Sequence, residues 1–219
     1  MQNSDQSPEN EAGVARGRGR PRAFDREAAL GKATRLFWAR GFEATSMADL
    51  TQAMGIGAPS LYAAFGSKEA LYAEALRHYA DNNEHFVWAG FFAAGTARAA
   101  VTALLMDSAA ALTGCVADIP RGCMVALSSV GSEGHAALGT LVQSARAVTL
   151  ERLKTRFDRA IEDGEIPAST DVHALARFVQ TIQNGMSILA RDGAHRDELE
   201  AVARLTLLGW DARVRGADT

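Results

Sequence analysis

Glycines divide the stretch from residue 25 to residue 76 into short helical segments. Asp25 suits the start of the first segment, because its carboxylate can accept a hydrogen bond from a free backbone N–H. Apolar residues then recur at helical spacing until Gly41, where glycine can take the left-handed conformation that ends a helix. A second segment ends at Gly55, and a third begins only three residues later, at Ala58. The pattern predicts short helices joined by tight turns.

The second and third helices together indicate a DNA-reading motif. Ser46 and Asp49 form the pattern of a capping box at the start of the second helix. Pro59 suits the first turn of the third helix, and Leu61 and Phe65 lie on its inward face. The opposite face carries only small residues, so it is free to enter a groove. Two short helices joined in this way are typical of a helix-turn-helix, with the third helix as the recognition helix.

A run of about fifty residues, beginning at Ala29, resembles the N-terminal DNA-binding domain of the TetR/AcrR family of transcriptional regulators. The resemblance rests on these residues: Ala39-Arg40-Gly41-Phe42, Thr45-Ser46, Met54-Gly55-Ile56, Ser60-Leu61-Tyr62, Phe65 and Ser67-Lys68-Glu69-Ala70-Leu71. It implies an all-α homodimer whose variable C-terminal domain binds a small effector and releases the DNA operator. Members of the family are most often repressors.

The predicted reading face departs from the family pattern because it is nearly uncharged. Ser60 can hydrogen-bond a base edge or a phosphate, small apolar side chains can meet thymine methyl groups, and Tyr62 can reach a phosphate or pack on the first helix. Phosphate contacts should therefore supply much of the affinity. The candidate DNA-binding residues outside the N-terminal arm are Thr45, Ser46, Ala58, Pro59, Ser60, Tyr62 and Lys68.

Residues 1–23 are polar, rich in glycine and without periodicity, which predicts a disordered basic arm. Within them Arg18, Arg20 and Arg22 alternate with Gly and Pro, as in an AT-hook that follows the minor groove of A·T-rich DNA. The alternative is a solvated basic tail. The formal net charge of the chain is −3, yet residues 13–68 hold nine basic side chains against four acidic ones. A basic head on an acidic body would approach DNA with the head first.

Beyond residue 71 the sequence shows only helical patterns. We expect helices over residues 68–88, 96–113, 121–129, 133–163, 171–191 and from about 194 to 213. The predicted fold class is all-α, with an N-terminal helix-turn-helix three-helix domain and a larger helical domain for ligand binding and dimerisation. The expected division is an arm at 1–23, a DNA-binding domain at 24–71 and an effector-binding and dimerisation domain at 72–219.

The last two helices are the predicted dimer interface. Apolar residues form a broad stripe from Val172 to Leu189, Gly185 offers room for close approach, and Leu205 and Trp210 add apolar surface on the final helix. Pairing of two chains is also what a reader of paired half-sites needs. The alternative is that both stripes pack in the core of a single chain. Some residues of each stripe must do so in either case.

An effector pocket is expected between the middle helices, with an apolar or aromatic ligand. Gln183, Ser128 and His135 could supply polar contacts. Most of the soft apolar side chains proposed for this site are expected to pack in the core, because a stripe of Met and Phe at helical spacing is more often ordinary packing than a pocket. The candidate effector-binding residues are Phe91, Met106, Cys123, Met124, Leu127, Phe178, Ile182 and Met186.

The sequence favours a ligand-responsive regulator over two alternatives. One alternative is a DNA-binding protein without a small-molecule switch, redox-gated through Cys115 and Cys123 or architectural through the arm. The other is an enzyme, for which the sequence offers no nucleophile with a base, no phosphate loop and no metal cluster. We expect double-stranded operator DNA, a small molecule and a second copy of the chain as partners, with no cofactor, no membrane association and a cytoplasmic location.

Overall fold

The computed structural model describes residues 25–215. Within this range the chain forms helices and no strands, as the sequence predicts. The elements are α1 (Arg26–Arg40), α2 (Met47–Met54), α3 (Ala58–Phe65), α4 (Lys68–Asn83), α5 (His85–Ala93), α6 (Ala97–Leu112), α7 (Ala136–Glu162), α8 (Val172–Arg191) and α9 (Arg196–Arg215). The expected arm at residues 1–23 lies outside the described residues.

The predicted helix caps are present. The Asp25 carboxylate accepts a hydrogen bond from the Ala28 N–H, and Ser46 and Asp49 form a complete capping box. Gly41 and Gly55 end α1 and α2 with φ angles of 83° and 73°. These are backbone conformations that other residues adopt only with strain, so both glycines are required where they stand.

The first four helices, which we call the head, share an apolar cluster that reaches beyond the predicted DNA-binding domain; helices α5–α9 form the body. It contains Leu50, Leu61 and Phe65 from α2 and α3, and it continues through α4 as far as Leu76. Side chains from later in the chain complete it: Met124, Val130, Leu138 and Val142. A unit of three short helices buries little surface alone, so it depends on the body of the protein.

Helix α6 runs through the centre of the body and packs against α5, α7, α8 and α9. Its buried residues include Leu104 and Leu105, which have no exposed surface. Phe157 of α7 and Trp210 of α9 meet nearby, with ring centroids 5.1 Å apart. The body therefore has its own core, separate from the cluster of the first four helices.

Two predicted helices differ in the structure. The helix expected over residues 68–88 ends at Asn83, and α5 begins at His85. The Asn82 and Asn83 side-chain amides donate to the carbonyls of His78 and Tyr79 and compete with the backbone near the break.

The helix expected over residues 121–129 is absent, and turns occupy this part of the chain. Gly122 has a φ of 76°, which a right-handed helix excludes. The Cys123 N–H donates to the Ser187 hydroxyl at 2.7 Å rather than to a carbonyl one turn earlier. We call residues 113–135, between α6 and α7, the connecting loop.

Candidate nucleic-acid interface and effector cavity

Helix α3 presents an open face with small side chains. Ala58, Pro59 and Ser60 are exposed, whereas Leu61 and Phe65 are buried against the rest of the head. The N-cap residue is a glycine without a side-chain hydrogen bond, so the first N–H groups of α3 have no side-chain partner. Exposed N–H groups at the positive end of a helix suit a phosphate oxygen. The exposed small face suits close approach to bases.

Tyr62 extends the open face of α3. Its side chain is 51% exposed, which leaves part of it accessible from outside the protein and is compatible with both roles expected for it. Lys68, in the first turn of α4, is half-buried, and its ammonium nitrogen lies 4.1 Å from the centre of the Phe42 ring. This contact holds the lysine charge close to the head surface.

The structure contradicts the expectation that Thr45 contacts DNA. Thr45 is fully buried, and its hydroxyl donates to the Gly41 carbonyl at 2.7 Å. Ser46 is exposed, but its oxygen accepts from the Asp49 N–H at 3.1 Å and donates to the Asp49 carboxylate at 2.5 Å. The hydrogen bonds from Ser46 lower the pKa of the Asp49 carboxyl. Thr45 is thus a structural residue of the turn, and Ser46 is first of all a helix cap.

Several basic side chains of the head have partners within the protein. Arg26 forms two hydrogen bonds of 2.8 Å with the Glu74 carboxylate. Arg40 lies 3.2 Å from Asp49. Arg35 pairs with an aspartate of the connecting loop. The predicted contacts of Arg18, Arg20 and Arg22 fall outside the described residues.

A cleft of about 290 Å³ lies between α4, α5, the end of α6, α7, α8 and the connecting loop. Part of its wall is apolar, from Val87, Trp88, Leu112, Val125 and Val148. Its polar groups include Tyr79, Gln183 and Arg146. The volume is close to the lower limit for sites that hold small organic ligands. The lining suits a ligand with an apolar body and at least one polar group.

Most polar groups in the cleft already have partners. The Tyr79 hydroxyl donates to the Cys123 sulfur at 3.3 Å, and burial raises the pKa of Tyr79 well above its ordinary value. Arg152 forms an ion pair with Glu84, and its guanidinium lies 4.9 Å from the centre of the Trp88 ring. Burial lowers the pKa of Arg152. A ligand would therefore meet paired charges rather than free ones.

Only Cys123, among the predicted effector-binding residues, lines this cleft. Phe91 and Met186 are buried in the body core, and Met124 belongs to the head cluster. Phe178 is exposed on α8, on a face away from the cleft. Three further residues are half-buried but absent from the cleft lining: Met106, Leu127 and Ile182. Phe91, Met124 and Met186 lie in the cores because burial there removes more of their surface from water.

Two polar residues of the lining, Gln180 and Ser187, were not predicted from the sequence. Gln180, Gln183 and Ser187 lie on one face of α8 within an otherwise apolar stripe, and this polar interruption was the available signal. Gln183 lies in the cleft as expected. Ser128 and His135 instead contact the head, through Tyr72 and Glu43.

Helices α8 and α9 leave an apolar face uncovered. Leu205 and Leu208 are 67% and 65% exposed. On α8, Phe178, Ile188 and Leu189 are also exposed, and a Cβ at Gly209 would lie 3.7 Å from the Phe178 ring. We call these residues, with Gly185, the α8–α9 face. Several residues of the predicted α8 stripe, by contrast, close the body core: Leu175, Ala176, Val179 and Met186.

Comparison with known proteins identifies the family. The model for bacterial regulatory proteins of the tetR family matches residues 29–75. Over 205 residues the chain is 38% identical to the transcriptional repressor ComR of Escherichia coli K12, covering 92% of this chain and 96% of ComR. The chain belongs to the tetR family of bacterial regulatory proteins. The E. coli repressor BdcR is 51% identical over 61 residues, which is 28% of this chain and 31% of BdcR.

A solved structure of another family member is similar over nearly the whole described chain. The TetR-family regulator CifR, as a cysteine mutant in complex with 26-base-pair operator DNA, is 41% identical. The match covers 87% of this chain and 100% of that one, with a TM-score of 0.81. None of the helices between residues 25 and 215 combines the length and hydropathy needed to cross a membrane.

In this tetR-family chain the connecting loop contacts both the cleft and the head. Cys123 lines the cleft. The neighbouring Gly122 carbonyl accepts a hydrogen bond of 2.8 Å from the Trp38 indole of α1. Ser128 lies 2.9 Å from the Tyr72 hydroxyl of α4. Helix α7 holds the same loop through the Arg146 guanidinium, which donates to the carbonyls of Val125, Ala126 and Ser128.

Proposed function

We propose that this tetR-family regulator is a repressor that binds a two-half-site operator as a homodimer and releases it when a small molecule occupies the cleft. The observation that supports the switch is that one segment, the connecting loop, touches both sites. Cys123 lines the cleft, and the adjacent Gly122 accepts a hydrogen bond from α1 of the head. A ligand that displaces this loop would change the position of the head.

Two copies of the recognition helix would bind the operator. The open face of α3, with Ser60 and Tyr62, would enter the major groove of each half-site, while Lys68 would contact a phosphate. The arginine arm would add contacts in the minor groove. The operator complex of CifR supports this proposal, since that protein is 41% identical and has the same fold. Contact with genomic DNA also implies a cytoplasmic location.

The α8–α9 face would join the two copies. It carries large exposed apolar side chains, which are costly to leave in water and typical of an interaction site. Gly185 has open space where a Cβ would stand, so a partner helix can approach closely there. A two-fold interface uses the same patch on both chains, as this proposal requires.

The proposed effector has an apolar body and a polar group. The apolar wall around Trp88 and Leu112 favours the body, and the side chain of Gln183 can hold the polar group. Its amide nitrogen already donates to the Ser108 hydroxyl at 2.9 Å, so the amide oxygen is the atom that would face the ligand.

A change of Ser60 should alter sequence preference, whereas a change of Tyr62 should not. We expect Ser60→Ala to shift the preference at one base pair by about 1–3 kcal/mol if the hydroxyl reads a base edge. Tyr62→Phe removes a hydroxyl proposed to contact phosphate, so it should weaken binding to all sequences by a similar factor. Selection from a random DNA pool, followed by titration of single-base variants, measures both. An unchanged preference in the Ser60→Ala protein would reduce Ser60 to a positioning contact.

Filling the cleft should abolish the response to effector. Ala145 lines the cleft, and Ala147, on the same helix, is exposed outside it. We expect Ala145→Phe to lose release of DNA by library compounds that act on the wild type, because the added ring occupies much of the space. Ala147→Phe should respond normally. The measurement is DNA release during titration, with thermal stability followed in parallel. A compound that releases DNA equally from both variants would place its site elsewhere.

A redox-gated protein without a small-molecule switch is the second candidate. It is favoured by the position of both free cysteines, Cys115 and Cys123, on the connecting loop that contacts the head. An oxidant that releases DNA from the wild type, but not from a Cys115→Ser/Cys123→Ser protein, would support this candidate. A set of small molecules that acts equally on both proteins would support the ligand switch.

A further inference from the structure

Arg191, the last residue of α8, connects three parts of the molecule. Its guanidinium donates to the Trp38 carbonyl at 2.8 Å, to the Ala39 carbonyl at 3.0 Å and to the Arg121 carbonyl at 2.9 Å. The first two carbonyls belong to the last turn of α1, and the third belongs to the connecting loop. One side chain thus joins the head, the loop and the helix of the proposed interface.

The contact with α1 satisfies groups that the helix itself cannot pair. Carbonyls in the last turn of a helix have no donor within that helix, and the end of the helix carries a partial negative charge. Arg191 supplies both donors and a positive charge at this end of α1. Arg191 is half-buried, and burial lowers its pKa. A half-buried cation that donates to three carbonyls is held in one place by all of them.

The other side-chain contacts described between head and body do not join α1 directly to α8. The ion pair between Arg35 and Asp118 is exposed on both sides, so water weakens it. The Trp38 indole N–H donates to the connecting loop and its ring packs on Tyr79 of α4, so it makes no contact with α8 in these interactions. Arg191 is different because it stands one turn from Ile188 and Leu189 of the α8–α9 face. It therefore ties α1 directly to the helix through which two copies would meet.

We propose that Arg191 is a positioning residue for operator binding, which sets the orientation of each head relative to the dimer interface. The separation of two recognition helices must match the separation of two half-sites, so a head that is free to tilt loses the match. This inference rests on the proposed function, because it requires a dimer on a two-half-site operator. The planar guanidinium suits the role, since one ammonium group cannot reach three carbonyls on two segments.

The test compares Arg191→Gln with Arg159→Gln. Arg159 is an exposed residue of α7 that pairs with Asp163, so its replacement makes the same change of charge away from the head. The probe is a DNA fragment that the wild type selects from a random pool, in three forms: intact, cut to one half-site, and with two base pairs inserted between half-sites. The full chain is used, with dimer content measured by analytical ultracentrifugation.

We expect Arg191→Gln to remain a dimer and to bind the single half-site like the wild type. Its affinity for the intact operator should fall by about tenfold or more, because the ordering of the heads is lost. Its discrimination against the DNA with inserted base pairs should also fall. Arg159→Gln should match the wild type in every measurement. Arg191→Lys keeps the positive charge but loses the planar guanidinium. Its losses of operator affinity and of spacing discrimination should therefore be intermediate, and it should disturb folding less.

A merely structural role would lower stability without changing spacing preference. If folded Arg191→Gln and Arg191→Lys proteins discriminate between the two spacings as the wild type does, the positioning role is wrong while the proposed function stands. If the wild type binds the single half-site as tightly as the intact operator, the proposed function is wrong. The positioning role is then wrong as well, because it depends on that function.

Discussion

A chain with both Leu205→Glu and Leu208→Glu will be a folded monomer that has lost most of its operator affinity. The two leucines are the most exposed large side chains of the α8–α9 face and take no part in the body core. Burying four carboxylates in a two-fold interface is prohibitive, whereas leaving them in water costs the monomer little. Because two linked half-site contacts reinforce each other, we expect operator affinity to fall by about a hundredfold or more.

Sedimentation and operator titration at matched protein concentrations measure this effect. The control is Thr155→Glu, which adds a carboxylate at an exposed position of α7. It should remain a dimer with wild-type affinity. A double variant that stays dimeric would show that the two copies meet through another surface.

A single methyl group at Gly122 should strongly destabilise the connecting loop. Gly122 has a φ of 76°, and an added Cβ would lie 2.9 Å from the Ser187 carbonyl of α8 and 2.5 Å from the Leu127 side chain. The Leu127 side chain can move, but the α8 backbone cannot. Strain of the left-handed conformation and the clash together should lower the free energy of unfolding by about 2–5 kcal/mol.

Gly134 provides the matched control for this change. It lies in the same loop with a φ of 98°, but a Cβ there would meet nothing within 4 Å. Gly134→Ala should therefore show only the conformational cost, about 1–2 kcal/mol. Urea denaturation at one protein concentration measures both variants, since dimer dissociation makes stability depend on concentration. Equal losses in the two variants would mean that the packing of Gly122 against α8 contributes nothing.

The DNA-reading head was predictable because its signals are local. Caps such as Asp25 and Ser46 act on N–H groups within three residues, and Gly41 and Gly55 need only their own backbone angles. The resemblance to a known family then implied the arrangement of these helices. The exposed face of α3 also followed from the sequence, since Leu61 and Phe65 had to lie on the opposite side.

The same locality explains where the sequence analysis failed. Residues 121–129 have a helical composition, but Gly122 and the hydrogen bonds of distant side chains hold them in turns. Thr45 was predicted to contact DNA, but the fold buries its side chain. Of the Met and Phe side chains expected around an effector, Phe91, Met124 and Met186 lie in the two cores. The polar residues Gln180 and Ser187, which were not predicted, line the cleft.

The sequence by itself determined the all-α class, the helix ends of the head and the family, because each depends on residues close together in the chain. Only the tertiary structure decided where the cleft lies, which residues line it and how the connecting loop links it to the head. Arg191 and Trp38 are 153 residues apart, and their contact exists only because the fold brings the end of α8 to the end of α1. A hydrogen bond between such distant groups leaves no pattern in either segment, since both sequences would form the same helices without it.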